Sequence, residues 1–554
     1  MNKYKIIFTI SILLFLFSTI NNIVAQTKTT HIIAPSTYII DGEELNASPG
    51  DTILLQSSAK PYLLIRNIHG SSLFPITIKN YNGIIIIDTD HFYGISIQHS
   101  EHVIISGMDD YGYDYGIQIL RVANGAGIGI TDYSTNVEIK GIEIANTMIS
   151  GIVSKTDPIC DENNEIHPTR DDFVQYNIII HDNYLHDIGN EGMYIGSSFF
   201  TGYTLECNGQ SHTVLPHVNS GVQIYNNKLE RTGWDGIQVS STINNCNIYS
   251  NEISHDSEAE YHNQMSGIII GGGSKADCYN NIIKDGKGDG IEVFGQGNQK
   301  IYNNLIIRAG RSYHSGDQSF PKHGIYCGDV YTQQNAFMYF YHNTIISPKT
   351  DGIKFNNDET IDNRAYNNII VDPGSYDIVG EDSYIHLGSE NITIDKQNNY
   401  LGRNIYAVKF DSPANDNYDL QVNSPLINEG KYIPEISFDI AMRPRKISTS
   451  PDIGAYECNK QGVDIEEISP IVDKIFSYPN PCSHETTLYA RSKQQTQAYL
   501  VIKSILGNLL DYRTLNIKKG KNEFIINLEK YPSGIYLYNI KYLNGNKSGK
   551  IIKQ

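Results

Sequence analysis

One short phrase recurs along the middle of this chain: an apolar residue, two variable residues, Asn, a variable residue and an apolar residue. Successive copies are separated by 44, 24, 30, 23, 39 and 25 residues, and their Asn residues are Asn183, Asn227, Asn251, Asn281, Asn304, Asn343 and Asn368. The short intervals give the length of one structural repeat, and the long ones indicate repeats with inserted loops. Such a chain folds as a stack of repeats whose core runs continuously along one axis.

A second phrase lies inside each repeat: a turn residue, then Gly, then alternating apolar residues. It begins at Asp235, Asp289, His323 and Asp351. Short alternating segments interrupted by Gly or Asn predict strands, and a period near 24 predicts a parallel β-helix. We therefore predict an all-β protein, a right-handed parallel β-helix followed by a small antiparallel β-sandwich.

The repeated Asn residues have a structural explanation. Asn tolerates the left-handed backbone conformation, and its amide can bond both the backbone and the Asn one coil away. We expect the seven Asn residues to form one column. The Tyr residues two positions earlier are expected to stack as an outward ladder, and they are Tyr225, Tyr249, Tyr279, Tyr302, Tyr341 and Tyr366.

The ends of the chain indicate export. Residues 1–25 have a basic start, an apolar run and a small residue before Gln26, which predicts a cleaved signal peptide and no membrane span in the mature protein. The β-helix is assigned to residues 26–460, a linker to 461–472 and the sandwich to 473–554. A net charge of −18 excludes nucleic acid as an expected partner. Of the seven Cys residues, Cys160 and Cys207 lie in loop-like sequence and could pair.

Three motifs near the C-terminus occur in a specific order: Tyr478-Pro-Asn-Pro481, Tyr531-Pro-Ser-Gly-Ile-Tyr-Leu-Tyr538 and the basic end Lys547-Ser-Gly-Lys-Ile-Ile-Lys553. They resemble the type IX secretion sorting domain of Bacteroidetes. The resemblance implies that the type IX secretion machinery is a partner, and that the protein is secreted or held at the cell surface after crossing the outer membrane.

The end of the repeat region, with Arg443-Pro-Arg445 followed by Asp452-Ile-Gly-Ala-Tyr-Glu457, is similar to that of extracellular bacterial β-helix proteins, including polysaccharide lyases. The resemblance implies an architecture and leaves the reaction open. The chain lacks the Asp-Asp pair and Gly-His-Gly segment of pectin-hydrolysing β-helices, to which Lys322-His323-Gly324 is only a faint likeness.

A groove is predicted where two long inserts, His255 to Ser266 and Arg308 to His323, flank a short turn at 284–289. The candidate catalytic residues are Lys284, Arg308, His255 and His323. The candidate substrate-binding residues are Arg311, His262, His314, Glu292, Asp285 and Asp289, and no metal ligand is assigned. We expect the cationic members to converge in one cleft; otherwise the loops Asp157 to Asp172 and Ser198 to Ser220 are the alternative site.

Three functions fit these features. The leading hypothesis is a secreted lyase that cleaves a uronic-acid polysaccharide, because Lys, Arg and His residues can neutralise the carboxylate and remove the adjacent proton. A glycoside hydrolase that uses two of the carboxylates is the second. A non-catalytic protein that binds extracellular polysaccharide is the third. A monomer is expected and no cofactor is assigned. The net negative charge disfavours polyanionic glycans unless a basic groove or a bound cation such as Ca²⁺ admits them.

Overall fold

The computed structural model describes residues 28–108, 113–317, 319–330, 332–374, 383–445, 450–458, 472–504, 509–542 and 545–554. The predicted signal peptide and residues 461–471 of the predicted linker lie outside these ranges. The chain divides into two compact units, Met1–Lys460 and Gln461–Gln554.

The first unit is a parallel β-helix with three faces. Face 1 contains Thr30–Ile33, Glu101–Ser106, Thr135–Lys140, Ile179–His181, Gln223–Tyr225, Cys246–Tyr249, Ala276–Tyr279, Gln299–Tyr302, Phe337–Tyr341, Asp362–Tyr366 and Asp395–Gln397. Face 2 contains Ile117–Val122, Ile142–Thr147, Tyr184–Ile188, Lys228–Thr232, Glu252–Ser254, Ile282–Lys284, Leu305–Ile307, Thr344–Ile346, Ile369–Val371 and Tyr400–Gly402. Two long strands, Thr52–Lys60 and Ile76–Thr89, bend across both faces.

Face 3 is a separate sheet of parallel strands, and it is the face on which the candidate site lies. Its strands are Ile39–Asp41, Leu63–Arg66, Tyr93–Gln98, Ala126–Ile130, Ile152–Ser154, Met193–Ile195, Ile237–Val239, Ser266–Ile270, Asp289–Val293, Ile325–Cys327, Ile353–Phe355 and Ile385–Leu387. Apolar side chains from all three faces form one buried cluster that extends from Ile33 to Ile392. The alternating pattern is therefore explained by a continuous axial core.

The predicted Asn column is confirmed at the corner between faces 1 and 2. Each Asn side-chain amide donates to the side-chain carbonyl oxygen of the next Asn at 3.0 Å, from Asn183 through Asn368, and Asn399 extends the series at 2.9 Å. The same carbonyl oxygen accepts the backbone N–H of the preceding Asn, at 3.1 Å between Asn227 and Asn251. Every interior member thus satisfies buried polar groups on two neighbouring coils.

Glycine in the second phrase is required by a close approach between coils. A Cβ atom on Gly290 would lie 2.5 Å from the carbonyl oxygen of Gly324, and one on Gly324 would lie 2.6 Å from that of Gly352. Any larger residue would push the coils apart at this corner. The phrase therefore marks the point at which each coil turns into face 3.

The predicted Tyr ladder forms, with one difference. Rings of Tyr225, Tyr249, Tyr279 and Tyr302 stack at 4.7–4.9 Å between centroids. Tyr341 and Tyr366 stack at 5.5 Å but are buried, because Ile433 and Ile436 of the C-terminal segment of this unit cover them. The ladder is outward along its first part only.

The segment after the last coil is fixed against face 1 by buried ion pairs. Arg445 bonds Glu457 at 2.6 Å and the Asn303 side chain at 2.7 Å, and Arg443 bonds Asp439 at 2.6 Å. The two arginines of the Arg-Pro-Arg phrase therefore have a structural role: they hold the segment after the last coil against the β-helix.

The remaining elements of the first unit are short. They are the helix Gly42–Leu45, the 3₁₀ helices Ile405–Val408 and Pro413–Asn415, and the strands Ile159–Cys160, Ile166–His167, Val174–Tyr176, Tyr203–Cys207, Gln210–Val214, Val218–Ser220, Thr242–Asn244, Phe410–Ser412 and Asn417–Leu420. Cys160 and Cys207 form a disulfide, as the sequence suggested.

The second unit consists of two antiparallel sheets, as predicted for a small sandwich. One contains Val472–Tyr478, Glu485–Ser492 and Gly520–Asn527; the other contains Thr496–Ser504, Leu509–Ile517, Gly534–Tyr542 and Gly545–Lys553. Leu488, Leu500, Ile540 and Ile551 lie in its core. Among the described residues, no helix is long and apolar enough to cross a membrane.

Candidate functional site

The short turn at 285–288 lies between the coils that hold the two long inserts, as predicted, because the face 3 strands Ser266–Ile270, Asp289–Val293 and Ile325–Cys327 are consecutive. The inserts also contact the turn. Lys287 lies 3.2 Å from Glu258 and 3.0 Å from Glu260 in the first insert. The Lys322 ammonium donates to the carbonyl oxygen of Met265 at 3.1 Å, so it reaches from the second insert to the end of the first.

The predicted cationic cleft does not form, because the cations are divided among separate ion pairs. On face 2, Lys284 bonds Glu252 at 3.0 Å, and Arg308 bonds both Asp285 and Asp416 at 2.6 Å. The other members of the predicted set lie elsewhere: Arg311 bonds the Ser347 carbonyl oxygen at 2.7 Å, His314 stacks on Phe320 at 4.0 Å, and His255 and His262 are exposed in the first insert. Lys284 and Arg308 are thus paired with carboxylates, and Arg311 donates to a backbone carbonyl oxygen, so these three cations do not face one common point.

A different set of titratable residues comes together on face 3. The residue before each glycine of the second phrase forms a column, which we call the pre-glycine column: Ser150, Glu191, Asp235, Ser266, Asp289, His323 and Asp351. Neighbouring members contact each other. The Ser266 hydroxyl donates to Asp235 at 2.7 Å, and His323 Nδ1 lies 3.0 Å from an Asp351 carboxylate oxygen.

A second line of side chains runs beside this column, three residues later in each coil. We call it the floor row; strand register places Gln238, Ile269, Glu292, Tyr326, Lys354 and His386 in it on six successive coils. Successive members are separated along the axis by the strand spacing of about 4.8 Å. The middle of face 3 thus presents a carboxyl, a phenol, an ammonium and an imidazole in sequence.

Asp289 and Glu292 form a carboxyl pair with opposite protonation. Burial raises the pKa of Glu292 well above its ordinary value, and the adjacent negative charge of Asp289 raises it further. Burial also opposes ionisation of Asp289, but Lys322, 2.8 Å away, and His323 outweigh it, so that its pKa is lowered. Glu292 is therefore the protonated member, and 14% of its side chain is exposed. A neutral carboxyl at the surface of a groove is a proton donor.

The hydrogen bonds of His323 define its tautomer. The Thr350 hydroxyl donates to the Lys322 carbonyl oxygen, so it can only accept from His323 Nδ1, 2.9 Å away. An Asp351 carboxylate oxygen lies 3.0 Å from the same nitrogen, and its negative charge favours the hydrogen there. His323 Nδ1 therefore holds the hydrogen in the neutral ring, the form in which Nε2 presents a lone pair. The His323 ring stacks beside Tyr326 at 5.7 Å between centroids, next to the floor row.

Asp351 also orients the far end of the floor row. Its second oxygen lies 3.3 Å from His386 Nδ1, and His386 Nε2 lies 3.0 Å from the Lys354 ammonium. Burial raises the pKa of Tyr326, which keeps its phenol protonated at neutral pH. One carboxylate therefore links the two imidazoles and, through His386, the ammonium.

Three of the ten predicted site residues, His323, Glu292 and Asp289, lie together in this site. Tyr326, Lys354, Asp351 and His386 were not predicted as site residues. The signal that could have found them is the second phrase itself, because the residue before Gly and the residue three positions later are fixed by the turn to one face. Of the residues at the first of these positions, the sequence analysis assigned only Asp289 and His323 to the site.

The first of the alternative loops, Asp157 to Asp172, lines one side of a cavity of about 510 Å³, whereas the second loop contributes no residue to its lining. It is lined by Tyr133, Val153, Lys155, Asp157 and His167 among others, and Lys155 bonds Asp157 at 2.8 Å. No group of three or more His, Cys, Asp or Glu residues within the described ranges is arranged to hold a metal ion.

Two segments match known family models. Residues 212–398 match the model described as right handed beta helix region, which agrees with the predicted handedness. Residues 477–554 match the secretion system C-terminal sorting domain. The protein therefore carries the type IX sorting domain expected from its sequence and is exported to the cell surface or beyond. No curated protein matches the chain.

Several solved structures are similar at low identity. An alginate lyase from Paenibacillus sp. str. FPU-7 is 15% identical with a TM-score of 0.40, covering 60% of this chain and 99% of that one. Pectate lyase Pel9A is 16% identical with a TM-score of 0.37, and the match covers 78% of this chain and 97% of that one. A GH136 lacto-N-biosidase from Eubacterium ramulus is 12% identical with a TM-score of 0.35, and the match covers 64% of this chain and 62% of that one.

Proposed function

We propose that this protein is a secreted polysaccharide-degrading enzyme, and that it cleaves a uronic-acid glycan by β-elimination at the floor row of face 3. The observation that supports this most strongly is the order of groups around His323. A protonated carboxyl, Glu292, lies one coil before His323, and an ammonium, Lys354, lies one coil after it. Each is separated from the coil of His323 by about 4.8 Å along the axis.

β-Elimination needs these three groups. His323 Nε2 would take the proton from the carbon beside the uronate carboxylate, while the Lys354 ammonium balances the charge that develops on that carboxylate. The electron pair of the broken C–H bond forms the carbon–carbon double bond as the glycosidic C–O bond breaks. Glu292 would give its proton to the departing oxygen, so that protons and electrons balance. Asp351 is a positioning residue, because it holds the His323 tautomer.

A glycoside hydrolase is the second candidate, since the raised pKa of Glu292 also suits the acid of that reaction. Hydrolysis requires a second carboxylate at about 5 Å or 6.5–9.5 Å from the acid, on either side of the sugar bond. Asp289 is in hydrogen-bonding contact with Glu292, so this pair cannot flank a sugar. Each oxygen of the Asp351 carboxylate contacts a histidine, His323 or His386, so this carboxylate is not free to act on a sugar. The geometry therefore favours the lyase.

The decisive experiment is incubation of the purified secreted protein with a panel of uronic-acid polymers, including polygalacturonate and alginate. We expect ultraviolet absorbance from the unsaturated product to rise together with new reducing ends. Reducing ends without that absorbance would establish the hydrolase instead. Retention of the protein on a polymer with neither signal would identify a binding protein.

A further inference from the structure

Two inserts at the N-terminal side of the site form one unit, which we call the paired loops and define as residues 155–177 and 196–222. The Cys160–Cys207 disulfide joins them. The His217 ring accepts the backbone N–H of Thr156 at 3.0 Å, and the Arg170 guanidinium lies 4.3 Å from the centre of the Phe200 ring. The loops are therefore fixed to each other at several points along their length.

The paired loops cover the floor row on the coils that precede Glu292. The Ser198 hydroxyl lies 2.9 Å from the Tyr194 hydroxyl, and it accepts from the Gln238 amide at 2.6 Å. Phe200 packs directly on Gly273, where a Cβ atom would overlap its ring. Tyr194, Gln238 and Gly273 belong to three successive coils, so the segment 198–200 crosses face 3 next to the site.

Exposure along the floor row changes in step with this cover. Gln238 is 3% exposed and Ile269 is 8% exposed, whereas 14% of the Glu292 side chain and 28% of the His386 side chain are exposed. Tyr326 and Lys354, between Glu292 and His386, are half-buried. The row is therefore covered at Gln238 and Ile269 and partly exposed from Glu292 onward.

We propose that the groove ends at the paired loops, and that the enzyme therefore acts at or near one end of its glycan rather than at internal bonds. Gln238 lies two coils, about 10 Å, from Glu292, which leaves room for only a short piece of glycan on the closed side. A polymer that continued past Glu292 would have to displace Ser198 and Phe200, which the disulfide and Arg170 hold in place. This inference rests on the proposed function and adds the mode of cleavage.

The first test is the size distribution of the products over time, measured together with the viscosity of the polymer solution. Cleavage at a chain end releases one short product from the earliest time points, and the viscosity falls slowly relative to the number of bonds broken. A ladder of intermediate sizes with an early collapse of viscosity would overturn the proposal.

A variant that opens the closed end sharpens this test. In the double variant Ser198→Gly, Phe200→Ala we expect intermediate products that the wild type does not make, because the cover on Gln238 and Gly273 is removed. Phe92→Ala, at a side chain 77% exposed on another coil, is the matched control and should keep the wild-type product pattern. Thermal unfolding of both variants establishes that they are folded, and an unchanged pattern in a folded double variant would contradict the proposal.

A binding measurement separates the closed end from the reaction. The folded His323→Ala variant is titrated with tetrasaccharides of galacturonic acid or mannuronic acid that carry a bulky label at one end or at the other. A closed groove predicts that one label weakens binding by about tenfold or more and the other does not, since only one end meets the paired loops. Equal affinity for both labelled forms, or no binding of either, overturns the closed end. If the wild type binds the two labelled forms unequally but cleaves no polymer, the proposed reaction is wrong and the closed end of the groove still stands.

Discussion

Two columns of polar side chains run along this β-helix, and they differ in one respect. In the Asn column every coil contributes the same residue, and each amide is both donor and acceptor to its neighbours. In the pre-glycine column the residue changes from coil to coil, among Ser, Glu, Asp and His. The Asn column is self-complementary at any length. The pre-glycine column is not, because adjacent carboxylates repel each other and only accept hydrogen bonds.

The cost of the second column is visible in its pKa values. Burial raises the pKa of Asp235 to about 8, and burial likewise raises the pKa of nearby Asp256 to about 6. One oxygen of Asp235 is buried among the described residues without a hydrogen-bond partner. A fold needs no such groups at a corner where Ser serves as well. Repetition of one residue along a column therefore indicates a structural role, whereas titratable residues that vary at an equivalent position indicate a chemical one.

The largest effect is expected from His323→Ala. If His323 is the base, its removal should lower kcat by about 10²–10⁴-fold, the usual contribution of general base catalysis. Initial rates of unsaturated-product formation on the active polymer measure this. The backbone N–H of residue 323 would still bond Asp289, so folding should be retained.

The matched control is His69→Ala, at a histidine whose side chain is 56% exposed near the N-terminal end of the β-helix. Its rate should stay within about twofold of the wild type, since His69 lies beside Glu101, many coils before the site, and an exposed substitution changes stability little. If His323→Ala also kept the wild-type rate, the pre-glycine column would be structural like the Asn column, and the proposed site would be abandoned.

The next effect concerns the Asn column. Asn251→Ala removes the oxygen that accepts both the backbone N–H and the amide of Asn227, at 3.1 and 3.0 Å. It also leaves the Ile224 carbonyl oxygen without that donor. Buried unsatisfied groups cost about 1–3 kcal/mol each, so we expect the free energy of unfolding to fall by about 2–4 kcal/mol. Urea denaturation measures the change.

Asn124→Ala is the control for this prediction. Its side chain is exposed and donates a single hydrogen bond to the Asp90 carbonyl oxygen. We expect a change within about 0.5 kcal/mol. Equal losses in the two variants would show that membership of the column adds nothing to an ordinary side-chain hydrogen bond.

A smaller effect is expected from Asp235→Asn, and it depends on pH. Folded Asp235 keeps its proton up to about pH 8, while the unfolded chain releases it near the ordinary value of 3.8. The folded state binds more protons across this window, so wild-type stability must fall as pH rises through it. Asn cannot ionise, so between pH 5 and 8 the free energy of unfolding of the variant should fall by at least about 1 kcal/mol less than that of the wild type. Thermal unfolding at pH 5, 6, 7 and 8 tests this; parallel curves for both proteins would contradict the raised pKa.

Sequence reasoning succeeded where one residue type repeats and was incomplete where residues vary. The Asn series predicted a column that the hydrogen bonds confirm, because Asn positions in a solenoid are fixed by local geometry. The cationic cleft was wrong since loop residues such as Arg308 have partners far along the chain, here Asp416, which no local pattern indicates. The site on face 3 could be predicted in part, because Asp289 and Glu292 belong to one strand, whereas the contact between His323 and Asp351 joins successive coils.

The smallest effect is expected from Lys284→Met, at a residue that the sequence made a catalytic candidate. Lys284 lies on face 2 and bonds Glu252, with 31% and 45% of the two side chains exposed. Ion pairs exposed to this degree contribute about 0–1 kcal/mol, and the residue does not contact the floor row in any described hydrogen bond. We therefore expect kcat within about twofold of the wild type and a nearly unchanged thermal midpoint. A large loss of turnover with unchanged stability would move the catalytic site to face 2, beside Arg308 and Asp416, and the pre-glycine column would then be a buried network without a role in the reaction.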